Sequence, residues 1–214
     1  VTSIGNSAFR GCTSLVEIKI PKSITSIGIQ AFMRCTSLTK IDIPKGVTSI
    51  SDWAFDDCTS LTEIKLPESV TSIGRNAFYN CTSLTKIELS KGVTSIGVRA
   101  FYACKLLYSI NIPDSVETIG ENAFRRCNKL EFIIIDNEDE REKIYTLLPR
   151  ALHNKVITKL AYRYHLKEKE KIIVSVLSKY LSVNTSQKTS RHQSNIFTKS
   201  VLPYLNQEKY LNEN

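Results

Sequence analysis

One step of 23 residues governs most of this chain. Cysteines stand at Cys12, Cys35, Cys58, Cys81, Cys104 and Cys127, each 23 residues from the next. The same step carries Phe9 to Phe32, Phe55, Phe78, Phe101 and Phe124, and an alanine precedes every one of them. Leu15, Leu38, Leu61, Leu84, Leu107 and Leu130 keep the period, as do the isoleucines from Ile18 to Ile133. A fixed period on a leucine and isoleucine framework constrains the fold severely. Each repeat is too small to bury its own apolar face and is stable only when stacked on its neighbours.

The pattern within one repeat indicates how the stack is built. In Leu38–Ile43 the two-residue alternation of a strand points Leu38, Ile41 and Ile43 inward and Lys40 and Asp42 outward. Pro44 ends the strand, Lys45–Gly46 turns the chain, and Val47 and Ile50 return to the core. Ala54 and Phe55 are placed on the opposite wall, in a helical or turn segment. The predicted fold is an α/β leucine-rich repeat solenoid with a parallel sheet of six 23-residue repeats. A small all-α C-terminal domain follows it. The domain boundaries are set at 1–136 for the solenoid and 137–214 for the helical extension, with a loop over 182–194. The six cysteines read as a buried thiol ladder. Stacked equivalents lie about 4.8 Å apart with side chains parallel, whereas a disulfide prefers Cβ atoms about 3.8 Å apart.

The consensus I-G-x-x-A-F-x-x-C-x-S-L-x-x-I-x-I-P-x-x-V-T-S resembles the BspA-like leucine-rich repeat family, also called the Treponema pallidum type. The match covers about residues 1–136. Departures are few: Ser51 replaces the glycine, Ser90 and Asp136 replace the proline, and Glu117 interrupts V-T-S. The resemblance implies a surface, secreted or host-directed protein that binds other macromolecules. Free thiols also suit a host-cell cytosol. No signal peptide or run of 18 apolar residues appears. The chain opens at Val1 in mid-repeat with no polar cap before it, so a processed or partial chain is expected.

Charge is uneven. The net +8 divides into +2 for residues 1–136, with 15 basic and 13 acidic side chains, and +6 for residues 137–214, with 14 and 8. On the outward strand positions one column reads Glu17, Lys40, Glu63, Lys86, Ser109, Phe132. Its neighbour reads Lys19, Asp42, Lys65, Glu88, Asn111, Ile134. Alternating signs on adjacent strands attract, by roughly 0.2–1 kcal/mol per pair. The face is not a basic stripe, which argues against nucleic acid there. Phe132–Ile135 is apolar on both faces and calls for a cover.

In the tail, Asp136–Asn137 can cap a helix whose first turn is acidic and whose apolar stripe is Ile144, Leu147 and Leu148. A second helix is predicted from Pro149, with Leu152, Val156, Leu160 and Tyr164 at helical spacing. Lys167–Lys171 reads as a turn or exposed face, and a third helix spans about Ile172–Leu181. The serine- and threonine-rich stretch Ser182–Ser194 reads as a loop, and a last helix spans about Asn195–Tyr210. The first of these helices are expected to seal the open end of the array.

The residues assemble no recognisable chemistry. His153, His165 and His192 all lie in the tail, away from the cysteines, and no metal, phosphate-loop or hydrolase motif is present. No catalytic residue, cofactor or metal is predicted, and the chain is not expected to be an enzyme. Asp56–Asp57 reads as a solvated turn. The slots that fail to repeat carry more information. Trp53, Tyr79, Arg99 and Tyr102 offer aromatic and guanidinium groups of the kind interface hot spots favour. With the outward charges Lys40, Asp42, Glu63, Lys65, Lys86 and Glu88 they form the candidate partner-binding set. A protein partner, of host origin if the resemblance holds, is expected, and nucleic acid is disfavoured. The alternative is binding to an anionic membrane or nucleic acid through the basic tail, where residues from Ile144 onward hold 12 basic and 4 acidic side chains.

Overall fold

The computed structural model describes residues 1–184, with side chains through Val176. Two compact units divide the chain, Val1–Leu160 and Ala161–Asn214. The first is a leucine-rich repeat solenoid of parallel strands.

Each repeat supplies one short strand to a seven-stranded parallel sheet: Glu17–Ile18, Lys40–Asp42, Glu63–Lys65, Lys86–Glu88, Ser109–Asn111 and Phe132–Ile135, with Val156–Thr158 beyond them. The regular part is shorter than the predicted Leu38–Ile43, but the inward and outward assignment is as predicted. Leu38, Ile41 and Ile43 are buried, and Lys40 and Asp42 are exposed. A second wall pairs the Ser-Ile or Thr-Ile dipeptides, Ser49–Ile50, Ser72–Ile73, Ser95–Ile96 and Thr118–Ile119, in four parallel strands, and Ser3–Ile4 pairs Ser26–Ile27 in the same way. Gly97 lets the repeats close up after this strand. A Cβ there would sit 2.5 Å from the Gly74 carbonyl carbon. Where Ser51 takes the glycine's place, its hydroxyl donates to the Ile27 carbonyl at 2.5 Å.

The third wall holds the Ala-Phe segments, which are turns rather than helices. Three backbone N–H groups per repeat donate to the next repeat. In the third repeat these are Trp53 N to Arg75 O at 2.9 Å, Phe55 N to Ala77 O at 2.8 Å and Asp57 N to Tyr79 O at 2.9 Å. Aiming these donators along the stack requires left-handed backbone at two positions per repeat. Ser7, Gln30, Trp53, Asn76, Arg99 and Asn122 have φ of 54–59°, and Arg34, Asp57, Asn80, Ala103 and Arg126 have φ of 55–63°. Such backbone costs an L-residue about 1–2 kcal/mol, less for asparagine, and the ladder offsets it.

The core between these walls is a set of columns. Phe9, Phe32, Phe55, Phe78, Phe101 and Phe124 stack with centroids 5.1–5.7 Å apart and planes within 4°. Behind them each thiol donates to the phenylalanine carbonyl 26 residues earlier: Cys35 to Phe9 O at 3.1 Å, Cys58 to Phe32 O at 3.2 Å, Cys81 to Phe55 O at 3.1 Å, Cys104 to Phe78 O at 3.1 Å and Cys127 to Phe101 O at 3.0 Å. All six cysteines are free. The ladder is buried from Cys35 to Cys104, but Cys127 is half-buried and Cys12 exposed.

The end of the array differs from expectation. Asn137 makes no capping bond. Its side-chain amide donates instead to Glu140 Oε1 at 2.8 Å, and a 3-10 helix, Glu138–Glu140, precedes α1, Arg141–Leu147. Pro149 does not start an α-helix. A 3-10 helix, Arg150–Lys155, leads into the strand Val156–Thr158, which pairs in parallel with Phe132–Ile135. The apolar edge is therefore covered by a strand as well as by α1. Ile144, Leu148 and Val156 join the core. Lys155 Nζ donates to the Leu130 carbonyl at 2.5 Å, Lys143 to the Asp114 carbonyl, and Arg141 Nη1 to the Val156 carbonyl at 2.9 Å. Hydrogen bonding to Glu138 raises the Arg141 pKa. From Lys159 to Asn184 the chain is one helix, α2, so the predicted turn at Lys167–Lys171 and the separate third helix merge into it. Ser182–Asn184 end α2, while the rest of the expected loop and the helix Asn195–Tyr210 lie outside the described residues.

One slot departs from the predicted solvated turn. Asp56 is 6% exposed, and its Oδ1 has no hydrogen-bond partner. Burial, reinforced by the Asp57 charge and only partly offset by Arg34 and a backbone hydrogen bond from Asp57, pushes its carboxyl up to about 6. A carboxyl whose folded pKa lies above its free value of 3.8 stabilises the fold below that value, and the benefit fades as pH rises toward about 6. Asp56→Asn is expected to gain on the order of 2 kcal/mol relative to the unsubstituted chain between pH 4 and pH 7, read from denaturant midpoints at the two pH values. An unchanged difference would place the carboxyl in water. Phe55→Ala, by removing the middle of the ring column, is expected to cost about 3–5 kcal/mol in the same measurement.

Candidate functional site

The candidate residues fall on two different walls of the array. Lys40, Asp42, Glu63, Lys65 and Glu88 stand exposed on the seven-stranded sheet, and Lys86 is half-buried there. Register sets Lys40 beside Glu63, Asp42 beside Lys65, Glu63 beside Lys86 and Lys65 beside Glu88. The closest ion pair among them lies within one strand, Lys86 Nζ to Glu88 Oε1 at 2.6 Å. Toward the C-terminal end the face turns apolar. Phe132 meets Tyr108 edge-on at 5.5 Å, and Asn111 binds both Leu89 N and Leu89 O, at 2.7 and 2.8 Å. The sheet face therefore spends much of its polarity on itself.

Trp53, Tyr79, Arg99 and Tyr102 stand on the Ala-Phe wall. Tyr79 and Tyr102, in one column, stack with centroids 5.0 Å apart and planes 1° apart. Arg126 lies over the Tyr102 ring at 5.5 Å and Arg75 over the Trp53 ring at 5.7 Å. Trp53 and both tyrosines are half-buried, and Arg99 is exposed. The positive φ of Trp53 and Arg99 is no mark of function, because every repeat has it at that position.

Sequence reasoning missed Arg75 and Arg126 as members of this cluster. They sit 22 and 24 residues beyond their ring partners, one residue to either side of the period. A search at 23 ± 1 finds them. Asp57 and Asn80 are bound together in the same wall, Asn80 Nδ2 donating to Asp57 Oδ1 at 2.7 Å, and Arg34 lies 3.8 Å from Asp57.

The cysteines offer little nucleophilic chemistry. Burial pushes Cys35 up to about 11 and Cys127 up to about 12, and raises Cys58, Cys81 and Cys104 further. Thiols so held stay protonated and inert. His153 is stacked on Tyr145 at 4.3 Å, with Nε2 3.1 Å from the Leu148 carbonyl. Among the described residues no three histidine, cysteine or acidic side chains gather as a metal site would require, and no helix is long and apolar enough to cross a membrane.

Comparison with known proteins places this geometry. A family model described as the BspA type leucine rich repeat region (6 copies) matches residues 2–131 and again 99–213. Among solved structures the chain is similar to a leucine-rich repeat protein of Bacteroides ovatus, at 40% identity over 64% of this chain and with a TM-score of 0.60. It spans only 37% of that protein's length. It is also similar to the Treponema pallidum leucine-rich repeat protein, at 28% identity over 70% of this chain and 78% of that one, with a TM-score of 0.56. The pneumococcal vaccine antigen PcpA shares the fold, at 21% identity over 67% of this chain and 41% of that one and a TM-score of 0.56. Nothing matches among curated proteins. With its 23-residue period, its stacked phenylalanine and thiol columns and a family model that spans most of its length, this chain belongs to the BspA-type leucine-rich repeat family.

Proposed function

We propose that this chain is a non-enzymatic scaffold for protein–protein interaction, acting as a secreted, surface or host-directed binding protein. The array serves as its recognition element, and residues 137–214 serve as the cap and helical extension. One observation carries the reading. The Ala-Phe wall holds half-buried aromatic rings and exposed guanidiniums on a backbone whose own donors are satisfied by neighbouring repeats. Binding there costs little ordering, because the framework is already fixed. Trp, Tyr and Arg are the side chains that dominate interface energetics. The charged columns of the sheet would contribute register and solubility first and partner contacts second.

A second reading has its own observation. On α2, Arg163, Lys167 and Lys171 form an exposed row at four-residue spacing, beside exposed Tyr164, Ile172 and Val176. A basic row flanked by apolar side chains suits an anionic lipid surface. Sedimentation with phosphatidylserine vesicles, lost at high salt and absent with phosphatidylcholine, is the result this reading requires.

The scaffold reading is tested by capture from host-cell lysate and from extracellular matrix on the immobilised full chain. Trp53→Ala combined with Tyr79→Ala is expected to weaken partner retention roughly tenfold or more, with the melting curve unmoved. Equal retention by the double variant would remove this wall from the binding surface.

A further inference from the structure

The Ala-Phe wall uses its charges asymmetrically. Its acids are committed. Asp52 Oδ1 accepts from the Arg75 backbone N–H at 2.7 Å, Asp57 accepts from Asn80, Glu121 Oε1 accepts from Asn122 Nδ2 at 2.8 Å, and Asp56 is buried. Its later guanidiniums are not. Arg75, Arg99, Arg125 and Arg126, from successive repeats, are exposed, and among the described residues none lies within ion-pair distance of a carboxylate. Two of the four are steadied by lying on Trp53 and Tyr102, which fixes the charge without neutralising it.

The rings bear on what can dock. Tyr79 turns one face to Tyr102, and Tyr102 is covered further by Arg126. Ring faces used in this way leave ring edges toward solvent. The edges carry the positive end of the ring quadrupole, and the phenol hydroxyl donates. A single-stranded nucleic acid needs open faces on which to stack its bases, and these faces are taken. A partner offering acceptor groups meets donors only. The guanidinium fork matches a carboxylate through two parallel hydrogen bonds.

We propose that the Ala-Phe wall over the last three repeats docks an acidic peptide segment, rich in glutamate or aspartate, on the surface of the protein partner. This rests on the scaffold reading above and specifies the chemistry of the same wall. Three rungs at about 4.8 Å span about 10 Å. An extended chain covers that distance in about three residues, so a run of three or four acidic residues fills the site.

The test is fluorescence anisotropy on the full chain, with a fluorescein-labelled hexaglutamate peptide and its hexaglutamine counterpart. The glutamate peptide is expected to bind at least tenfold more tightly at physiological salt. Arg99→Ala with Arg125→Ala, which touches neither ring stack, is expected to weaken it tenfold or more. Arg99→Lys with Arg125→Lys keeps the charge but loses the fork and is expected to fall between the two. Arg163→Ala with Lys167→Ala on α2 is expected to change nothing. Equal binding of both peptides, or an unaltered affinity in the Arg99/Arg125 alanine variant, overturns the proposal. So does a heparin oligosaccharide or oligo-dT that binds this wall tenfold more tightly than hexaglutamate, since the wall would then serve a sulfated or phosphate polymer. If hexaglutamate fails while Trp53→Ala with Tyr79→Ala still loses the captured partner, the wall binds protein by other chemistry. If both fail, the scaffold reading falls with it.

Discussion

The structure depends on one constraint: every repeat must present its neighbour with the same atoms at the same height. A thiol in one repeat finds its acceptor on the phenylalanine 26 residues back, as Cys81 does on Phe55. A threonine finds its acceptor 23 residues back, as in the run Thr39 to Val16, Thr62 to Thr39 and Thr85 to Thr62 at 3.2–3.4 Å. Phenylalanine rings pile up along a third line. None of these contacts exists inside a single repeat. Burial and hydrogen bonding are both properties of the stack, so stability is a sum over neighbours, as for any one-dimensional array. A buried thiol or hydroxyl with no acceptor would cost about 1–3 kcal/mol, which holds the repeat length fixed.

The same constraint explains what happens at the ends. Phe32 is fully buried between two rungs, whereas Phe9, with one rung beside it, is half-buried. At the other end Phe132–Ile135 has no further repeat beyond it and is apolar throughout. Val156–Thr158 supplies the missing strand, and Ile144, Leu148 and Val156 supply apolar surface without any leucine-rich consensus. The lysines and arginine of this segment bind carbonyls from Asp114, Leu130 and Val156. Edge pairing, apolar cover and carbonyl capping are thus met by a segment that need not repeat.

Legibility in the sequence follows from this. The array could be read because one rule recurs six times, and each recurrence checks the others. The closing segment could not, because its structure is set by the edge it meets. Leu152, Val156 and Leu160 fit helical spacing, yet Val156–Thr158 is a β-branched triplet, and an open sheet edge offers it a ladder that an isolated helix turn does not. Asp56 was misread for a related reason. Its slot holds arginine, methionine and tyrosine in other repeats, and polarity at a variable position says little about depth. In the candidate site, Trp53 and the tyrosines stood out by residue type, but Arg75 and Arg126 reach their rings across neighbouring rungs, one residue off the period.

The two outward walls show why recognition is better placed on one than on the other. Sheet columns are built from alternating signs in register, so a ligand must compete with neighbours already matched. Each such pair is weak, but the competition repeats at every rung. Ala-Phe turns obey a different rule. Their backbone ladder needs a left-handed conformation at two positions and asks little of the side chains there, so Ser7, Trp53, Asn76 and Arg99 can occupy equivalent places. A wall whose framework is secured by backbone alone can vary its side chains freely, each at a height fixed by the stack. Adding an arginine to such a wall costs the core nothing. Adding one to the sheet face disturbs a charge pattern shared by the strands on either side.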